Sequence, residues 1–254
     1  MNLSSIEHRP SSIVMAISIF VTSSFAGVRH FTYLYEAPTS PPDSVELENW
    51  VTWKPGDNPS RFDQVDFRHE FEIGITDRLQ LSVYVADWNY LSNAEHSGFG
   101  YSDTGIELIY NLTNPVIDPV GLSVYQEYKA GRRLFEWESK VIAQKNFGRW
   151  IFAYNGTLEA VWEGRGLAER EGELSQALGA SYEISPRLSL GLELLHEFIF
   201  PDWRDNQKIR NVFVGPNVSY RRNQWFVTMT ALAQASDTSD EANFQLRTIF
   251  GIGF

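Results

Sequence analysis

Carboxylates recur on alternate residues through much of this chain, and basic residues interrupt them at the same spacing. Asp66, Arg68, Glu70 and Glu72 lie two apart, as do Glu136, Glu138 and Lys140, and Glu127 with Lys129. In an extended chain such residues point to one side, because side chains alternate faces with period two. Neighbouring stretches carry Glu46, Glu48, Glu107, Glu159, Glu173, Glu183, Glu193 and Glu197 on the corresponding face, with Lys54 and Arg247 as further bases. Two kinds of chemistry are open to such a face. Around a narrow low-dielectric passage it would focus a negative potential and draw in cations. In a closed interior the same charges would neutralise one another across strands and fill the space. The short connection Gly131–Arg133 sets Lys129 opposite Glu136, a pair of the second kind, and leaves Glu127 opposite Glu138. Those two like charges would bind a cation, borrow Lys140 or share a proton.

Other chemistries have less to stand on. Hydrolysis of a lipid ester at a membrane surface needs a Ser nucleophile and a His base on the lipid-facing side. His69 and His196 have that parity, but no His-x-Ser-Asn-Gly run is present, and Ser139 is on a stretch adjacent to neither. The acidic loop Ser236–Glu241 lacks the glycine of a Ca²⁺ loop. There is no Cys, no zinc-spaced Cys/His set and no phosphate-binding glycine loop, so neither a metal nor another cofactor is expected. A net charge of −11 argues against nucleic acid as a partner, since phosphate binding needs clustered Lys and Arg.

The elements that must position these faces are strands. From Asp43 onward the period is two, and turn signals recur at the spacing of consecutive antiparallel strands. Strands are expected at 43–54, 62–75, 79–90, 100–112, 120–131, 134–146, 150–162, 172–184, 188–198, 210–220, 225–235 and 243–254. That is about twelve, an even number of about the length a tilted membrane strand needs. Tight connections such as Thr76–Arg78, Asn146–Arg149, Ser185–Arg187 and Arg221–Gln224 alternate with more variable ones, including Leu91–Phe99 and Ile199–Ile209. Periodicity alone does not say which face is inside. Tryptophan does: Trp53, Trp88, Trp137, Trp150, Trp162 and Trp225 fall near strand ends, where a ring of indoles would mark a membrane–water interface. Trp50 has the parity of the acids.

Both ends of the chain agree with export. Ile13–Val21 is an apolar run too short for the ~20 residues of a spanning helix. It is followed by Thr22-Ser23-Ser24-Phe25-Ala26, the layout of a secretory signal peptide over 1–26 with cleavage after Ala26. Residues 27–42, with Pro38, Pro41 and Pro42, read as a periplasmic lead-in to a barrel over 43–254. The last strand places Phe250, Ile252 and Phe254 on one apolar face and stops on an aromatic residue. This ending resembles the assembly signal of bacterial outer-membrane β-barrels, in which the last strand closes on the first and the barrel-assembly machinery reads the terminal aromatic. The hairpin Glu72-Ile73-Gly74-Ile75-Thr76-Asp77-Arg78-Leu79-Gln80-Leu81 is similar to one in small transporter-like barrels grouped with phenol-degradation (MetA-pathway) proteins. The resemblance covers that hairpin, the signal segment and the last strand, and it implies a class without a substrate.

The expectation is therefore an all-β, transmembrane, antiparallel up-and-down barrel of about twelve strands in the bacterial outer membrane. It would touch outer-membrane lipid and pass small hydrophilic solutes, cationic or neutral, through a lumen set by Asp66, Arg68, Glu70, Glu72, Glu107, Glu127, Lys129, Glu136, Glu138, Lys140, Glu159, Glu193 and Arg247. The alternatives are a closed structural or adhesive barrel and a lipid-acting hydrolase.

Overall fold

The computed structural model describes residues 27, 29–56, 61–205, 207–236 and 242–254. The expected signal peptide lies outside them. Among the described residues there are thirteen strands. They are β1 (Val45–Gly56), β2 (Phe62–Thr76), β3 (Leu79–Ser92), β4 (Ser97–Tyr101), β5 (Asp103–Thr113), β6 (Gly121–Gly131) and β7 (Leu134–Phe147). β8 (Trp150–Glu163), β9 (Glu169–Ser185), β10 (Leu188–Phe200), β11 (Ile209–Arg222), β12 (Trp225–Gln234) and β13 (Phe244–Gly253) complete the set. β4 and β5 both pair with β3 and are separated only at Ser102, so they form one stave of a twelve-stave ring. Each stave pairs antiparallel with the next, and β13 pairs with β1 to close the ring, from Glu46 opposite Gly253 to Trp53 opposite Leu246. Closure leaves no open edge, which a hydrocarbon surround demands of a sheet.

Tight turns join the staves at one rim, with the seven-residue connection 114–120 between β5 and β6 as the exception. Gly148 supplies the left-handed conformation, φ 60°, that the turn after β7 requires. Longer connections lie at the other rim, except for the two-residue turn Arg132-Arg133.

The faces are those of a membrane-spanning barrel, apolar outside and charged inside. Val51, Phe71, Val85, Leu108, Val141, Leu158, Leu178 and Leu192 are exposed, whereas Glu48, Glu70, Glu107, Glu127 and Glu193 are at most 1% exposed. Trp53, Trp88 and Trp150 are exposed near stave ends, and Trp137, Trp162 and Trp225 are partly exposed on the same outer face. Trp162 packs on Phe135 and Trp203, Trp150 on Phe152 and Tyr182, and Trp225 on Tyr220 and Phe250. Phe250, Ile252 and Phe254 share that outer face at the closing seam, where the Phe254 N–H donates to the Val45 carbonyl at 2.8 Å.

One segment departs from the expected layout. Of residues 27–42, expected as a periplasmic lead-in, 29–37 lie inside the ring, and the chain returns to the tight-turn rim, where Thr39 donates to the Asp77 carbonyl and Pro41 and Pro42 are exposed. Phe31, Leu34, Tyr35 and Ala37 are buried among residues from the ring wall. Tyr35 and Ala37 pack with Trp50, Ile109, Tyr125, Ile142, Phe226 and Ile249, while Phe31 and Leu34 pack with Ile151, Ala153 and Ala177. The interior therefore contains two apolar cores, each made partly by this segment. Two glycines of the wall make room for it. A Cβ at Gly74 would lie 1.8 Å from the Pro41 carbonyl oxygen, and one at Gly179 would lie 2.6 Å from the Phe31 ring.

Candidate functional site

The lumen site begins with how the segment is held. Its backbone has no ladder partner within the ring, so its N–H groups need acceptors from side chains. The wall supplies one after another. Glu193 accepts from the Thr32 and Tyr33 amides at 3.0 and 2.7 Å, Asn155 from Tyr35 at 2.6 Å, Gln144 from Ala37 at 2.8 Å and Gln80 from Ser40 at 2.9 Å. Its carbonyls are met as well. Ser219 and Thr228 donate to Arg29 O, Asn155 to Tyr35 O, and Ser123 and Asn111 to Ala37 O. Arg247 donates to Thr32 O at 3.3 Å and lies 3.9 Å from the centre of the Tyr33 ring. Burial pushes the Tyr33 phenol up to about 12 despite Arg247 beside it, so it stays a neutral donor, here to Gln245 at 3.1 Å.

The acids expected on the inward face are there, and strand register aligns them. Glu107 is opposite Glu127, Glu127 opposite Glu138, Glu138 opposite Glu159 and Glu159 opposite Glu173, a belt of glutamates across five staves. On β1 and β2, one stave beyond this belt, Glu48 faces Glu70 and Glu46 faces Glu72. Like charges in direct register repel, and the structure offsets this with cations one step along the strands. Lys129 bridges Glu127 and Glu136 at 2.8 and 2.7 Å, Lys140 pairs with Glu138, and Arg68 lies 3.0 Å from Asp87 and 3.8 Å from Glu127. Of the three outcomes open to the Glu127/Glu138 pair, Glu138 borrows Lys140, while Glu127 is held by Lys129 and Arg68. Lys54 pairs with Asp66 at 3.0 Å. Glu107 is satisfied by hydroxyls, from Tyr35 at 2.9 Å, Ser82 at 3.2 Å and Tyr84. Glu70 is fully buried, and neither of its oxygens takes a hydrogen bond from a described residue.

Four expected lumen residues thus have another task. Glu193, Arg247, Glu107 and Glu72 are hydrogen-bonded to the segment, Glu107 through the Tyr35 hydroxyl and Glu72 through Arg29 and Ser40. The site also contains residues that sequence reasoning missed. Arg29 donates to Glu48 and Glu72 at 3.0 and 3.3 Å and lies 4.5 Å from the Trp50 ring. Burial disfavours its charge, but Glu48, then Tyr35 and Glu72, more than compensate and hold its pKa above the ordinary value. Asp87 was missed because a bulge opposite His69 and Glu70 reverses the parity of β3. Below the bulge Ser82 and Tyr84 point inward; above it Asp87 does, and Trp88 is turned outward. Tyr84 and Tyr125 have no charge to advertise them, although Tyr125 shares the parity of Glu127.

The segment divides the free space. A cavity of about 440 Å³ lies toward the long-loop rim, lined by six carboxylates, Asp66, Asp87, Asp103, Glu127, Glu136 and Glu138, and five cations, Lys54, Arg68, Lys129, Lys140 and Arg247. A second, of about 480 Å³, lies toward the tight-turn rim, lined by Glu36, Glu46, Glu48, Glu72 and Glu183 against Arg29, Arg221 and His30. Tyr35 lines both. Acidic surplus is therefore concentrated on the tight-turn side.

The residues of a lipid hydrolase are not assembled. Ser139 donates to Gln126, His69 meets Asn49 at 2.8 Å, and His196 accepts from Arg210 at 3.1 Å, on staves that are not neighbours.

The same fold occurs in solved outer-membrane proteins. The COG4313 outer membrane channel from Pseudomonas putida F1 is 13% identical, with a TM-score of 0.69 over 86% of this chain and 98% of that one. The translocator domain of the autotransporter NalP from Neisseria meningitidis is 10% identical, with a TM-score of 0.57 over 83% and 87%. The NanC porin is 11% identical, with a TM-score of 0.55 over 82% and 98%. No curated protein matches the sequence. A model of one family, described as a family of unknown function (DUF6662), matches residues 23–247.

Proposed function

The chain belongs to the DUF6662 family of unknown function, and we propose that it is a bacterial outer-membrane channel for small hydrophilic solutes, cationic or neutral, with its own N-terminal segment as the constriction. The observation that carries this reading is the pair of charged cavities, about 440 and 480 Å³, on either side of the segment. Each has room for a small solute, and Tyr35 is common to both. The segment is held largely by hydrogen bonds from its backbone to wall side chains, which water or a polar solute can replace one at a time. The outward tryptophans would sit at the two lipid–water interfaces. Phe250, Ile252 and Phe254 would present the assembly machinery with its signal. The channels and porins that share the fold support the pore reading, and the hairpin resemblance to phenol-degradation barrels supplies no solute. The chain is read as a transporter without catalytic residues.

A closed structural barrel is the second reading, favoured by the two apolar cores that the segment completes inside the ring. Planar-bilayer recording separates the two. The whole protein should give a small conductance, and a variant lacking residues 29–42 a several-fold larger one. Silence from both, at every salt concentration, would leave the closed barrel.

A further inference from the structure

The tight-turn cavity contains three buried carboxylates, Glu46, Glu48 and Glu72, with an oxygen of each lying within 4.8 Å of one of each of the others. Buried like charges this close are relieved by a shared proton or by a cation. Arg29 supplies one, and it is committed to Glu48 and Glu72. No cationic side chain among the described residues lies within ion-pair distance of Glu46. What meets Glu46 is the backbone nitrogen of Gly27, 2.7 Å from Oε2. Gly27 is also the residue that follows the small-x-Ala sequence Ser24-Phe25-Ala26.

We propose that the cation completing this cluster is the chain's own α-ammonium, created at Gly27 when the signal segment is removed, and that this processing step fastens the N-terminal segment inside the barrel. The export protease adds water across the Ala26–Gly27 peptide bond. Ala26 leaves as a carboxylate and Gly27 remains as an amine, which takes up a proton at neutral pH. A neutral amide donor on Glu46 becomes an ammonium with three protons, which adds an ion pair to the hydrogen bond that the carboxylate already accepts. Before cleavage Glu46 has only the amide. The seated segment is then a product of export, and the unprocessed chain holds it less tightly. This inference rests on the export reading but not on conductance, so a silent barrel would leave it standing.

The test uses mature protein extracted from outer membranes. N-terminal sequencing should begin at Gly27; a mature chain beginning at any other residue overturns the proposal. The α-amine is then acylated near neutral pH and followed by mass spectrometry. Gly27 is exposed, so access does not limit the reaction. Acylation should be about tenfold slower in the parent than in Glu46→Gln, the factor that ~1.4 kcal/mol of ion pairing produces. Equal rates in the two proteins would show that the ammonium is not paired with Glu46. If Glu46→Gln does not assemble, the parent is compared folded and in urea. The same tenfold retardation in the folded protein is expected, and equal rates overturn the proposal.

Discussion

Glu193 takes hydrogen bonds from the Thr32 and Tyr33 amides and from the side chains of Asn217 and Thr230, all inside the barrel. With its oxygens committed in this way it acts as a clamp on the segment, although its parity alone marks it as a pore-lining acid. Hydrogen bonds to a charged group are worth about 1.5–3 kcal/mol. Glu193→Ala should therefore speed hydrogen exchange at the Thr32 and Tyr33 amides roughly ten- to a hundredfold, with exchange in the strand ladders unchanged. Uniform acceleration would mean that the barrel itself had loosened. His30 is a second clamp. Its Nδ1 is 2.8 Å from Glu36 and its Nε2 is 3.7 Å from Glu183, with Arg221 on the same side. Burial lowers its pKa and Arg221 opposes its charge, but Glu36 first and then Glu183 outweigh them, and the net direction is upward. A group whose pKa is raised on folding stabilises fully below its unfolded value, near 6.5, and loses that contribution as the pH rises through the folded value. NMR titration of the ring should give a value above that of a free histidine, and Glu36→Gln should lower it. A titration at the free value would remove His30 from the account of how the segment is held.

At the scale of elements, the staves were legible in the sequence and the segment was not. Eleven of the twelve expected strands need only their ends adjusted, and the twelfth is interrupted at Ser102 into β4 and β5. Alternation reports them because one face meets lipid and the other meets charge. The bulge in β3 was hidden because one additional residue leaves composition unchanged while it exchanges the faces of Asp87 and Trp88. The segment was hidden for a different reason. Its backbone is satisfied by side chains on distant staves, such as Asn155 and Glu193, so no local period records its place. What signal there was lies in Phe31, Tyr33 and Tyr35, aromatic residues crowded beside Arg29 ahead of the prolines. The wall records the fit in Gly179, against which the Phe31 ring rests. Gly179→Leu should expel that ring. The expected result is protease cleavage within 29–42 in a barrel that still shifts on heating in gels. A segment equally protected in the variant would mean that Phe31 is not what seats it.

Across the whole molecule the charges are distributed unevenly along the barrel axis. The long-loop cavity nearly balances its acids with Lys54, Arg68, Lys129, Lys140 and Arg247. The tight-turn cavity does not, and a large part of what neutralises it, Arg29, is carried by the segment rather than by the wall. Removing residues 29–42 would therefore do two things at once. It would widen the passage, and it would strip the guanidinium from Glu48 and Glu72, leaving them with Glu46 and Glu70 as an uncompensated acidic patch. Widening alone lowers selectivity, because ions pass farther from the wall charges. Loss of Arg29 raises it, because unpaired acids set the field in a low-dielectric tube. The electrostatic effect should win at low salt, where the Debye length is ~10 Å at 0.1 M, and fade near 1 M, where it is ~3 Å. Reversal potentials in a salt gradient should thus show the deletion variant to be both more conductive and more cation-selective than the whole protein at 0.1 M. The difference in selectivity should disappear as salt rises. A variant that conducts more and selects less at every salt concentration would mean that the tight-turn acids lie off the conducting path.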